Sequence, residues 1–135
     1  MTEQRELPPA LRQELRFNDQ GLLPAIAVQH DTGEVLMQAW MNAESLAETL
    51  ASGRVCYWSR SRGRLWRKGE SSGQTQRLVE LRLDCDGDCL LLLVDQTGPA
   101  CHTGRRSCFY RAWRDGGLVT LGEPLIDPER LYGDP

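Results

Sequence analysis

Apolar and polar residues alternate without a break through Val79-Glu80-Leu81-Arg82-Leu83-Asp84-Cys85-Asp86, the period of a strand with one buried face. Cys89–Val94 follows as a continuous apolar run, which predicts a strand buried on both faces. Upstream, Leu22–Val28 and Val35–Trp40 read as strands joined by the turn residues Asp31-Thr32-Gly33-Glu34, a first hairpin. Asn42 then stands where a helix N-cap belongs, Glu44 lies in the first turn, Leu46 and Leu50 share a face, and Gly53 ends the segment. Together they predict one main helix over 43–52. Arg54–Ser61, the turn residue Gly63 and a short strand at Leu65-Trp66 predict a second hairpin. The small polar stretch 69–76 and residues 97–107 read as loops, Cys108–Trp113 as a strand, and Asp115-Gly116-Gly117 as a tight turn into Leu118–Leu121. Asp127-Pro128-Glu129 has the N-cap and N1 chemistry of a last helical turn. The expected fold class is β-rich α+β, a small single domain of antiparallel strands and hairpins, with no βαβ repeat and no Gly-rich nucleotide fingerprint. Residues 1–15 read as a polar N-terminal extension with a short peripheral helix around Ala10–Leu15, and 16–135 as the domain.

Composition narrows the function classes. At 135 residues and 40% hydrophobic the chain suits one domain whose core needs no disulfide staples. Sixteen basic against 19 acidic residues, net −3, argue against bulk attraction to nucleic acid or an anionic membrane. Five cysteines are an odd number, and with no apolar leader and no long apolar run they lead us to expect a cytoplasmic protein with reduced thiols. In that setting grouped cysteines bind metal or do chemistry more often than they form disulfides.

Three constellations carry candidate chemistry. In Asp84-Cys85-Asp86-Gly87-Asp88 a continued strand places Asp84 and Asp86 on one face, with Asp88 joining them, and Cys85 on the other. The carboxylates make a hard-oxygen site suited to Mg²⁺, and the thiolate suits a softer ion such as Zn²⁺. The alternative is a solvated polar strand end. An EF-hand is rejected because Cys89 replaces its glycine and Asp95 its final glutamate. In Cys101-His102-Thr103-Gly104-Arg105-Arg106-Ser107-Cys108 two more thiols flank a loop. If they converge with Cys85, three thiolates leave a tetrahedral zinc one open position; a small buried hydrophobe is the alternative reading of any one of them. His102 is either a proton carrier or a fourth ligand. Cys56 and Cys89 read as small core hydrophobes. Finally, Trp58–Lys68 holds five cations in eleven residues. Guanidinium forks bind phosphate and indoles stack on bases, so Arg60, Arg62 and Lys68 with Trp58 and Trp66 are candidate contacts for a phosphorylated nucleotide. A charge-protected hairpin edge is the plain alternative, and a zinc-stabilised module binding single-stranded RNA is the rival function.

The motifs Thr32–Met37 with Trp40-Met41-Asn42, Tyr57–Arg62, Leu65–Gly73, Asp84–Asp88 and Cys101–Phe109, in that order, resemble the phosphoribosyl-AMP cyclohydrolase family of histidine biosynthesis over nearly the whole chain after about residue 15. The resemblance implies hydrolysis of the purine N1–C6 bond of 1-(5-phosphoribosyl)-AMP, the third step of that pathway. It also implies zinc on Cys85, Cys101 and Cys108, magnesium on Asp84, Asp86 and Asp88, and a catalytic role for His102. An intertwined homodimer that shares its zinc sites between subunits is implied as well. Gln74 departs from the pattern, since relatives often carry Asn or His there. Some relatives carry a fused pyrophosphohydrolase domain, and an end at Pro135 leads us to expect that activity to be absent.

Overall fold

The computed structural model describes residues 6–128. A short helix α1 (Pro9–Arg12) precedes the strands β1 (Leu23–Gln29) and β2 (Val35–Met41), which form the expected hairpin with Ala25 opposite Ala39. Helix α2 (Ala43–Ser52) follows. The Asn42 side chain accepts from the Ser45 N–H at 2.7 Å, and the Ser45 hydroxyl accepts from the Asn42 N–H at 2.9 Å, a reciprocal cap for two orphan donors. Gly53 closes the helix in the left-handed region at φ 78°.

Strands β3 (Cys56–Ser59) and β4 (Arg64–Arg67) form the second hairpin. β5 (Gln76–Leu83) and β6 (Leu90–Gln96) complete one six-stranded sheet in the order β4-β3-β2-β1-β6-β5. Its pairings are antiparallel except that β1 and β6 run parallel, with Ala25 opposite Leu90. Local turn signals reveal hairpins, but a pairing between distant strands leaves no such mark. A separate hairpin, β7 (Arg111–Arg114) and β8 (Gly117–Thr120), turns through Asp115 and Gly116, both at positive φ. The strand expected from Cys108 therefore starts three residues later.

One sheet face makes the core. Leu23, Ala25 and Ala27 of β1, Met37 and Met41 of β2, Tyr57 of β3, and Leu90, Leu92 and Val94 of β6 are all buried. Leu91 and Leu93 point the other way and are only half-buried, so β6 has one fully buried face and not two. Leu7 and Leu15, from the stretch read as a polar extension, also lie in this core.

Two bulges shift the phases read from sequence. The register of β1 against β2 slips between Ala27 and Val28, which lets the consecutive residues Leu36 and Met37 both be buried. In β5 the register slips between Leu78 and Glu80. Val79 is consequently exposed, while Leu78, Leu81 and Leu83 pack on the core. The helical turn expected at Asp127-Pro128-Glu129 runs into residues outside the described range. No helix among the described residues is long and apolar enough to cross a membrane.

Candidate functional site

β5 ends at Leu83, so Asp84–Asp88 is a turn and not a continued strand. The face argument fails, yet the carboxylates still meet. One oxygen from each of Asp84, Asp86 and Asp88 lies within 4.8 Å of the others. Gly87 makes this turn possible: at φ 72° it runs so close to the Glu14 carbonyl that a Cβ would strike it, and its own carbonyl accepts from the Arg16 N–H at 2.8 Å. The N-terminal segment thus braces the turn, a role with no local signal in its residues. Asp84 is held below the usual carboxylate range, chiefly by a side-chain hydrogen bond with Asp88 and also by backbone N–H groups. Asp88 is raised, first by that same bond and then by burial and the charges of Asp84 and Asp86. Three exposed carboxylates gathered in one turn offer the oxygen ligands that a hard divalent cation takes.

Cys101 and Cys108 are brought together by a tightly laced loop. The Ala100 and Cys101 N–H groups donate to the Arg106 and Arg105 carbonyls at 3.0 and 3.1 Å, and the Cys108 N–H donates to the Leu36 carbonyl of the β2 bulge at 2.7 Å. The Ser107 hydroxyl donates to the Val35 carbonyl at 2.7 Å. Cys101 is buried. The Cys108 thiol is pushed up to about 12 by burial and by Cys101, against the opposing pull of Lys68. The residue as a whole is solvent-exposed. The Thr103 hydroxyl donates to the Cys101 sulfur at 3.1 Å. Soft donors paired beside a cation suit zinc. Cys85 lies elsewhere in the chain, in a cavity of about 590 Å³ lined also by Gln13, Glu14, Arg16 and the Asp84–Gly87 turn. Among the described residues no cluster joins its sulfur to Cys101 and Cys108. Cys56 is buried in the core as expected, its thiol pushed up to about 12 chiefly by burial, and Cys89 is half-buried.

A cleft of about 470 Å³ opens beside the thiol pair, lined by Arg62, Trp66, Lys68 and His102 with Gly69, Glu70 and the hydroxyls of Ser59, Ser61, Ser71 and Ser72. Its position follows from the hairpin: Tyr57 pairs with Trp66, their rings 5.5 Å apart, so alternate residues Ser59, Trp66 and Lys68 share one face. Trp58 falls on the opposite face and pairs with Trp40 and Leu65. Arg60 stacks over the Trp40 ring at 4.5 Å, and Arg67 bonds Glu48 at 2.7 Å. The arginine-rich hairpin is therefore not a free cationic strip. Arg62, Lys68 and Trp66 line the cleft with His102, whereas Arg60 and Trp58 are not among its lining residues. Lys68 is 6% exposed, with its ammonium 5.4 Å from the Trp66 ring. The polar loop 69–76 supplies Ser71 and Ser72 to this lining, bracketed by Gly69 and Gly73 at positive φ.

A profile of the phosphoribosyl-AMP cyclohydrolase family matches residues 37–110, the span that holds the acidic turn, the thiol pair and the cleft. The chain belongs to this family. It is 74% identical over 120 residues to the phosphoribosyl-AMP cyclohydrolase of Granulibacter bethesdensis, covering 88% of this chain and 94% of that protein. The protein of that name from Alkalilimnicola ehrlichii is 72% identical over 128 residues, 95% of this chain and 89% of its own length. The one from Rhodospirillum centenum is 70% identical over 124 residues, 92% and 93% of the two chains.

Proposed function

We propose that this chain is a hydrolase that opens the adenine ring of 1-(5-phosphoribosyl)-AMP at the N1–C6 bond, the third step of histidine biosynthesis. The observation that carries the reading is the single cleft in which His102, Trp66, Arg62 and a ring of hydroxyls meet beside the paired thiols. The substrate has a phosphate at each end, which answers to the cationic and hydroxyl lining. Trp66 offers an indole face to the purine.

Cys101 and Cys108 with Cys85 would hold zinc, and Asp84, Asp86 and Asp88 magnesium. Bound there, zinc supplies the Lewis acidity that lets water act as a nucleophile near neutral pH. His102 is exposed and borders the cleft, and histidine is the side chain that both takes and gives a proton in this range. It takes a proton from the attacking water and returns it to N1 as the N1–C6 bond breaks, so the product gains one water and keeps the phosphoribosyl nitrogen. Arg62 and the serine hydroxyls hold a phosphate, which fixes C6 against the thiol side of the cleft.

A homodimer with shared zinc sites reconciles Cys85 with the distant thiol pair. Support comes from the exposed apolar residues of the β7–β8 hairpin, where Trp113 is 72% and Leu118 64% exposed, a surface suited to a second copy. All five cysteines are free, in keeping with a cytoplasmic protein. An ultraviolet assay of imidazole-carboxamide formation, with metal analysis of the same sample, tests the activity; a folded, zinc-replete preparation that gives no product would overturn it.

A further inference from the structure

A chain of buried amides runs beneath the cleft, and its direction is fixed from one end. Gln96 Nε2 donates to the carbonyls of Thr97 at 2.9 Å, Gln74 at 3.3 Å and Pro99 at 3.4 Å. Carbonyls only accept, so the nitrogen end of Gln96 must face them, and its oxygen faces Gln76. Gln76 Nε2 then donates to Gln96 Oε1 at 2.8 Å and also approaches Met37 Sδ at 3.3 Å. That leaves Gln76 Oε1 for the Tyr57 hydroxyl, which donates at 2.7 Å. Tyr57 and Gln76 have no exposed surface and Gln96 has 5%. Gln29 Oε1 anchors the Gln96 backbone N–H at 2.9 Å.

The two ends of this chain touch the cleft from different sides. Tyr57 backs Trp66. The Gln74 carbonyl belongs to the loop carrying Ser71 and Ser72, while Thr97 and Pro99 lead directly into Ala100, Cys101 and His102. One amide therefore bridges the two loops that face each other across the site, and the Thr97 N–H reinforces the junction by donating to the Thr75 carbonyl at 2.9 Å. Two buried glutamines are costly unless fully bonded; apolar residues would fill the space but would not tie the loops.

We infer that Gln76 and Gln96 are positioning residues, whose one-way hydrogen-bond chain from Tyr57 fixes the Cys101-His102 segment against the 69–74 loop. The inference rests on the proposed reaction occurring in this cleft. The test compares the zinc-loaded full chain with Gln96→Met, Gln76→Met and Gln76→Glu. Both methionine variants are expected to bind wild-type zinc and to lose about 10–100-fold in kcat with a smaller change in KM. Gln76→Glu distinguishes positioning from packing. A neutral carboxyl accepts from Tyr57 and donates to Gln96, preserving the chain. A carboxylate has no proton to give, so the Gln96 amide must turn its oxygen onto three carbonyls. Its activity relative to wild type is expected to fall as pH rises.

Methionine variants with lowered Tm but wild-type kcat and KM would overturn the inference. If they do not fold, a pH-independent ratio of Gln76→Glu to wild-type activity does so. Failure of wild type itself to open the ring would sink the functional reading instead. The position of the segment is then read from zinc release to a chelator, which is expected to speed up in Gln96→Met; an unchanged rate overturns the inference.

Discussion

The Lys68 ammonium donates a 2.8 Å hydrogen bond to the carbonyl oxygen of Ala100, the residue before Cys101. Burial lowers the lysine pKa, and the neighbouring Cys108 and Cys101 oppose that shift. The cation thus sits against the thiol pair and holds the backbone that presents it. Lys68→Met is expected to weaken zinc retention by about 10–100-fold, as loss of a supporting contact around metal ligands does, measured by competition with a chelator. Unchanged retention with only a raised KM would make Lys68 a phosphate contact.

Cys85 lines a cavity that neither Cys101 nor Cys108 lines, and a shared site makes a sharp prediction about mixed subunits. Cys85→Ser and Cys101→Ser are each expected to be inactive. When the two are refolded together, half the dimers are mixed and each mixed dimer has one intact site, so about a quarter of wild-type activity returns. No recovery, with mixed dimers present, would mean that the thiols are drawn from one chain.

Helix α2 was legible to the residue because its signals are local: Asn42 and Gly53 act within a few positions of where they stand. The hairpins were legible for the same reason. The parallel contact of β1 with β6 and the brace of Glu14 and Arg16 on Gly87 were not, since each depends on segments far apart in sequence, and the bulges at Leu36 and Val79 were not, since an extra residue in a strand breaks the alternation without a turn signal of its own. The Asp84–Asp88 residues were identified correctly as a carboxylate cluster through a wrong geometry. Alternation on a strand and convergence in a turn both gather three nearby aspartates, and spacing alone does not separate them. Arg60 and Trp58 were chosen by residue type alone, and the hairpin pairing sets Arg60 on Trp40 and Trp58 on the far face, a placement that residue type does not encode.

The reciprocal cap at Asn42 and Ser45 sets a stability prediction independent of the site. Asn42→Ala should cost about 1 kcal/mol, read from the urea midpoint of zinc-loaded protein, with kcat unchanged. A loss much greater than this would show that Asn42 supports more than the helix end.

Asp86 contributes a carboxylate to the exposed cluster, whereas the Asp84 side chain also bonds the turn backbone at Asp88, so removal of Asp86 is the gentler test of that site. Asp86→Asn is expected to weaken magnesium binding on the order of tenfold, measured by titration calorimetry, while zinc content stays at wild type. Loss of both metals together would mean that the turn holds one mixed site.

His102 borders the cleft and is exposed, whereas a ligand completing the thiol site would have to turn inward beside Cys101 and Cys108. His102→Ala separates the two roles. A proton carrier predicts intact fold and zinc content with turnover lower by about 10²–10⁴-fold. It also predicts partial restoration by added imidazole, since the vacated side-chain volume opens onto a cleft that small molecules can enter. A fourth ligand predicts that zinc is lost or loosened together with activity, and imidazole then acts only by restoring the metal. Measuring zinc content and turnover on the same His102→Ala sample, with and without imidazole, decides between them. Wild-type turnover in that variant would remove His102 from the reaction altogether.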